Sequence, residues 1–180
     1  HRIGLVDDLP DSDQLWLRSS DLNGMPPARP ARGHKGTFGH VGIIAGSTGY
    51  HGAACLCARG ALRARPGLVS VFTPAYDAVA AQLQAPMVHP WNPDVTEPLS
   101  KCTALVAGPG LAGPDVPESL RHVVREMWRE SATPMIADAS SLEWLPAGEV
   151  PEEAIRILTP HPGEAARLLG CETAEVQAGR

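Results

Sequence analysis

Missing from the 180 residues is any apolar run near the roughly 18 residues that a membrane span requires. The N-terminal stretch HRIGLVDDLPDSDQ also lacks the apolar core of a secretory signal. Both absences place the expected setting in the cytoplasm, away from any membrane. There is no basic excess either: fifteen Lys and Arg stand against twenty Asp and Glu, a formal charge of -5. A generally basic nucleic-acid surface is thereby excluded. The four cysteines, Cys55, Cys57, Cys102 and Cys171, show neither disulfide nor zinc spacing. Cys55 and Cys57 lie two apart on an expected helix and so point in different directions, and all four are read as reduced thiols. The seven histidines form no H-E-x-x-H pair, and no metal site is expected. The chain is long enough to bury roughly two-thirds of its unfolded surface without a staple.

What the chain has is glycine and proline, eighteen of each. Residues 1–33 read as a lead-in or linker, turn-rich toward DLNGMPPARPARG, with a strand-like Ile3-Gly4-Leu5-Val6. From Val41 the pattern alternates. Strands are expected at 41–45, 68–72, 104–107, 135–137 and 156–158, each a short apolar run. Helices are expected at 52–64, 75–83, 117–130 and 162–169, with Pro117 opening the third and Gly170 closing the last. Continuous apolar strands between helices predict an α/β, doubly wound, mostly parallel sheet with helices on both faces. In such sheets ligands bind beyond the carboxyl ends of the strands.

Those ends carry unusual residues. Gly46-Ser47-Thr48-Gly49-Tyr50-His51-Gly52 follows the first strand. It is neither a Walker A loop nor a G-x-G-x-x-G turn, and it reads either as a tight turn or as an anion-binding helix start. Gly108-Pro109-Gly110-Leu111-Ala112-Gly113 is either a proline-glycine turn or a bare platform for a flat ligand. Asp138 stands at a strand end, to accept a ligand hydroxyl, to hold a metal-bound water or to cap a short helix over 140–145. His161 is held between Pro160 and Pro162, and Glu164 falls in a first helical turn, where a carboxylate is structurally favoured. Lys35, in H-K-G-T-F-G, is either solvated or a phosphate contact.

Taken in order, HKGTFGHVGIIAGSTGYHGAA (34–54), LVAGPGL (105–111), Asp138-Ala139 and LTPHPGEAARLLG (158–170) resemble one family. It is the ADP/ATP-dependent NAD(P)H-hydrate dehydratases of the ribokinase-like group, and the resemblance spans residues 34–180. The family uses a nucleotide to phosphorylate the hydroxyl of hydrated NADH or NADPH, and loss of phosphate then restores the nicotinamide ring. The resemblance implies ATP or ADP with Mg2+, and hydrated NADH or NADPH (NADHX or NADPHX) as the small-molecule substrate. It assigns Ala53, Gly108, Gly110, Ala112, Asp138 and His161 to substrate binding. Lys35, Gly46, Ser47 and Gly49 are then candidate phosphate or nucleotide contacts. The lead-in up to Arg32-Gly33 looks like the end of a preceding epimerase domain.

Departures from the family pattern are Ala112 for glycine, Ser140 for a second acid, Arg65-Pro66 in a small-residue run, and Ala85 before Pro86-Met87. The family's nucleotide half, with the Gly-Thr-Gly-Asp segment that carries its catalytic aspartate, lies beyond the position of Arg180. The expectation is therefore a substrate-binding half with no catalytic residue of its own, incomplete at the C-terminus. Such a sheet has an open edge and an uncovered apolar face, which calls for a homo-oligomer or a missing C-terminal half. Two other functions fit less of the pattern: a vitamin-precursor kinase of the same fold, and a non-catalytic dinucleotide-binding homologue.

Overall fold

The computed structural model describes residues 19–24 and 28–179, so the strand expected at Ile3–Val6 lies outside the described residues. The chain divides into two units, His1–Ala31 and Arg32–Arg180. Of the first, the described residues carry one 3-10 turn, Ser19–Leu22. The second unit is the α/β body.

Six strands form its sheet: β1 His40–Ile44, β2 Leu68–Thr73, β3 Met87–Pro90, β4 Ala104–Ala107, β5 Met135–Ala137 and β6 Arg156–Leu158. Their order is β3-β2-β1-β4-β5-β6, and every pair is parallel. The helices are α1 His51–Arg63, α2 Tyr76–Ala80, α3 Thr96–Ser100, α4 Glu118–Glu130, α5 Pro162–Leu169 and α6 Thr173–Ala178. The five expected strands are all present. The structure adds β3, α3 and α6, and it shortens the helix expected over 75–83 to Tyr76–Ala80. Pro117 stands one residue before the helix it was expected to open, in extended conformation at the N-cap of α4.

Side-chain alternation divides the core into two layers. Ile43, Ala45, Val69 and Val71 pack with Ala54, Cys55 and Ala58 of α1 and Val79 of α2. Ile44, Phe72, Leu105, Ala107, Met135 and Ala137 pack with Leu120, Val124 and Trp128 of α4 and Leu142 of the 139–144 turn. The first layer covers only half the sheet. Along one register line Ile43 is fully buried, Val106 and Ile136 are half-buried, and Ile157 is 45% exposed. The open half includes the outer strand β6.

On the α4 face two side-chain devices join elements. Arg156 of β6 donates to the carbonyls of Met127, Trp128, Ser131 and Thr133, and its guanidinium stacks 5.5 Å from the Trp128 ring. Carbonyls at a helix C-terminus lack intrahelical partners, so one cation fastens the end of α4 to the sheet. Near the opposite edge, Ser70 Oγ lies 2.9 Å from His40 Nε2 and 3.3 Å from His89 Nε2, and His89 stacks on Phe72. The hydroxyl donates one proton and can accept two, so at most one imidazole accepts from Ser70.

Burial, and secondarily His89, lowers the pKa of His40 below its ordinary value. The charged form is disfavoured in the fold, so this term stabilises above the unfolded pKa, near 6.5. The stability is lost as pH falls through the folded value. Urea unfolding at pH 7.5 and pH 5 should show a steeper acid loss for the native chain than for His40→Gln. Equal losses in the two proteins would remove His40 as the cause.

Candidate functional site

Strand order reverses direction at β1 and β4, whose crossovers leave to opposite faces. The two loops leaving their carboxyl ends therefore meet over one crevice. They are bonded to each other. The Gly46 amide donates to the Pro109 carbonyl at 2.8 Å, and Ser47 Oγ donates to the Gly110 carbonyl at 2.7 Å while accepting from the Gly113 amide at 2.8 Å. Asp115 accepts from the Thr48 amide at 3.0 Å and from Thr48 Oγ1 at 2.8 Å.

The glycines make this closeness workable. At Gly108, with φ +119°, a β-carbon would stand 1.7 Å from the Asp138 carbonyl oxygen; at Gly110, with φ +69°, it would stand 2.8 Å from Ala53 Cβ. These two contacts draw Ala53, the 108–113 turn and Asp138 into one continuous rim. Gly49 is different: its φ is +85°, and a β-carbon there would meet nothing within 4 Å.

Asp138 follows β5 and occupies the N-cap position of the 139–144 turn, yet its side chain makes no capping bond. Ser141 Oγ shares its one proton between the carbonyls of Ala107 and Asp138, tying the turn to the end of β4. Of the readings open from sequence, capping by the Asp138 carboxylate is thus not the one adopted. The carboxylate sits close enough to Cys57 of α1 that, after burial, it helps push that thiol up to about 11. Cys57 is therefore neutral, as is Cys102, which burial alone raises to about 11. All four cysteines are reduced.

His161 follows β6 on the same edge of the sheet, where the Thr159 amide bonds the Ala137 carbonyl. Its Nδ1 accepts from the amides of Gly163 and Glu164, and Glu164 returns a bond to the His161 amide at 2.8 Å. This is a capping box that starts α5. With Nδ1 accepting, the ring proton belongs on Nε2, which lies 3.2 Å from Glu164 Oε1. The side chain remains 63% exposed.

A comparison with known sequences decides the family. The family model for NAD(P)H-hydrate dehydratase matches residues 41–179. The chain belongs to the NAD(P)H-hydrate dehydratase family. It is 39% identical over 159 residues to the bifunctional NAD(P)H-hydrate repair enzyme Nnr of Escherichia coli, covering 87% of this chain and 30% of that protein. The chain spans about a third of the length of the curated relatives it matches. Among solved structures it resembles the ADP/ATP-dependent NAD(P)H-hydrate dehydratase of Bacillus subtilis, co-crystallised with ATP and Mg2+. That likeness has TM-score 0.69 and 28% identity, over 89% of this chain and 58% of that one. A ribokinase-like superfamily protein of Enterococcus faecalis, at TM-score 0.80 and 22% identity over 97% of this chain and 66% of that one, shares the fold.

In this dehydratase-family chain the expected site residues separate into three groups. Ala53, Gly110, Ala112 and Asp138 lie along the rim, with Ala112 exposed, and His161 lies on the same sheet edge. Gly46, Ser47 and Gly108 belong to the rim's foundation instead. They are buried, and the Ser47 hydroxyl is spent on Gly110 and Gly113, so of the three positions expected as phosphate contacts in this loop only Gly49 is exposed. Lys35 sits at the amino end of the sheet, in the 3-10 turn Lys35–Phe38 before β1. The five-residue strand, about 17 Å long, separates it from the rim, and it shares no site with the others. Asp115 and Cys57 were not anticipated. Asp115 has no motif signal beyond an acid two residues past Gly113.

Two alanine substitutions test this division. Gly108→Ala should cost about 3 kcal/mol or more, because backbone blocks the methyl group. Gly49→Ala should cost about 1 kcal/mol, the left-handed backbone alone. Chemical denaturation of both variants measures the contrast, and similar losses would mean that the 108 turn is not packed as described.

Proposed function

We propose that this chain forms the substrate-binding side of an ADP- or ATP-dependent NAD(P)H-hydrate dehydratase, a hydro-lyase that returns hydrated NADH or NADPH to the reduced coenzyme in the cytoplasm. Family membership supports the reaction class. The observation that carries the reading is the rim itself: Ala53 against Gly110, Gly108 beneath Asp138, and a carboxylate with no capping duty.

Hydroxide leaves poorly and phosphate leaves well, so a nucleotide would supply the leaving group for such a dehydration. Among the described residues no group of three or more His, Cys, Asp or Glu side chains could hold a metal by itself; magnesium would come with the nucleotide, held largely by phosphates and water. No phosphoryl-transfer step is therefore assigned to these residues. Their work is to bind and orient. The turn at Gly110 and Ala112 offers its backbone as a surface, and the Ala112 methyl narrows it relative to the family's glycine. Asp138 accepts a hydrogen bond from a ligand hydroxyl. Cys57, neutral beside it, adds no second negative charge where a phosphorylated ligand would lie.

The reading also gives the open half of the sheet a purpose. Val106, Ile136 and Ile157 lie on the face toward which Asp138 points, one pleat beyond Ile136. A further α/β segment or a second copy covering that face would also wall the site. Residues 1–33 fit as a lead-in to this domain.

Calorimetric titration with hydrated NADPH tests the proposal. Asp138→Asn keeps the side chain's size and removes a charged acceptor, so affinity should fall about 10- to 100-fold. The melting temperature should stay close to that of the native chain, since no capping bond is lost. Undiminished affinity in Asp138→Asn would remove Asp138 from the site.

A further inference from the structure

The outermost bond between the two rim loops is the one from Thr48 to Asp115. Inward of it, Gly46 and Ser47 are already fixed by Pro109, Gly110 and Gly113. Outward of it come Gly49, in the left-handed region with open space around it, and Tyr50, the N-cap of α1, whose side chain makes no capping bond. One carboxylate takes both the amide and the hydroxyl of Thr48, with both of its oxygens within 3.0 Å. Bonds to an ionised acceptor are shorter and stronger than neutral ones, which suits a tie at the margin of a loop. Gly113 is held to glycine by the same cluster: a β-carbon there would meet Asp115 Oδ1 at 2.6 Å and Ser47 Oγ at 2.7 Å. Three residues past this tie α1 begins, and its first turn sets Ala53 against Gly110.

We infer that Asp115 is a positioning residue for substrate binding: its carboxylate clamps the Thr48–Gly49 turn so that the first turn of α1 and the Gly110 turn present one rim to the dinucleotide. The inference rests on the dinucleotide-binding reading above. Asp115 does not itself meet the ligand. Its lone pairs face Thr48, and a carboxylate turned toward a phosphorylated ligand would repel it.

The test uses the whole chain as Asp115→Ala, Asp115→Asn and Thr48→Val. Backbone amide exchange is followed at Thr48 and Gly49, and hydrated NADPH is titrated well below the melting temperature. In Asp115→Ala, exchange at those two amides should quicken about tenfold or more while amides of β1 and β4 keep their rates. The dissociation constant should rise about tenfold, with Thr48→Val intermediate. Asp115→Asn keeps an acceptor oxygen and should recover most of the affinity; a merely structural role would lower melting temperatures and leave affinity alone. Unchanged exchange in Asp115→Ala overturns the clamp, and faster exchange with native affinity overturns its role in binding. A native chain that does not bind hydrated NADPH overturns the dinucleotide reading and the ligand part of this inference together, whereas native affinity in Asp115→Ala overturns the inference alone.

Discussion

Because β1 and β4 are neighbours while their crossovers part to opposite faces, the loops leaving their ends must occupy the same small space. Everything at the candidate site depends on how that crowding is resolved. Side chains are removed at Gly46, Gly108, Gly110 and Gly113, and the buried Ser47 hydroxyl crosses the gap to satisfy both a carbonyl and an amide of the 108–113 loop. A buried hydroxyl left unpaired here would be costly, and so would any β-carbon. The result is a crevice whose base is protein bonded to protein, with Gly49, Ala53, Ala112 and Asp138 at least partly exposed above it.

A second constraint recurs at two distant places. His34-Lys35-Gly36-Thr37 and His161-Pro162-Gly163-Glu164 start their turns in the same way: the imidazole Nδ1 accepts from the glycine amide, and the third residue's side chain returns a bond to the histidine amide. Both are capping boxes written with histidine in place of serine or threonine. Part of what makes H-x-G-T and H-x-G-E conspicuous in the sequence is therefore helix initiation. For His161 the consequence is chemical as well. Capping fixes the tautomer and sets Nε2 3.2 Å from Glu164 Oε1, so Glu164 holds both the backbone amide and the ring of a side chain that is otherwise 63% exposed.

The sheet was legible because buried parallel strands are short apolar runs, and VGIIA, LVSVF, ALVA, MIA and RIL are such runs. What escaped has physical reasons. β3 is an edge strand, Met87–Pro90, with a histidine and a proline, and it follows the loop Gln82–Pro86 rather than a turn signal. α3 is one turn long and contains Pro98. At the site, the sequence showed where side chains are absent but not what fills the space. Gly108 looked like room for a ligand and is room for the Asp138 carbonyl, while Gly49 and Asp138 owe their availability to bonds that other residues make. Lys35 read as a phosphate contact from its glycine and threonine neighbours, yet the strand after it is extended and carries it to the far end of the sheet from the rim.

The open face and the rim belong to one arrangement. Ile43, Val106, Ile136 and Ile157 run outward from under α1 along a single register line, losing cover at each step. Asp138 stands at the end of that uncovered strip, with Cys57 of α1 as its neighbour. Apolar floor, neutral thiol and charged acceptor thus lie on the same side of the sheet. A carboxylate half-exposed at such a margin is still hydrated; covering the strip would remove that water and strengthen any hydrogen bond the carboxylate accepts. Covering the floor and enclosing the Asp138 carboxylate are in this geometry the same event, so whatever closes over Ile136 and Ile157 also dries the rim.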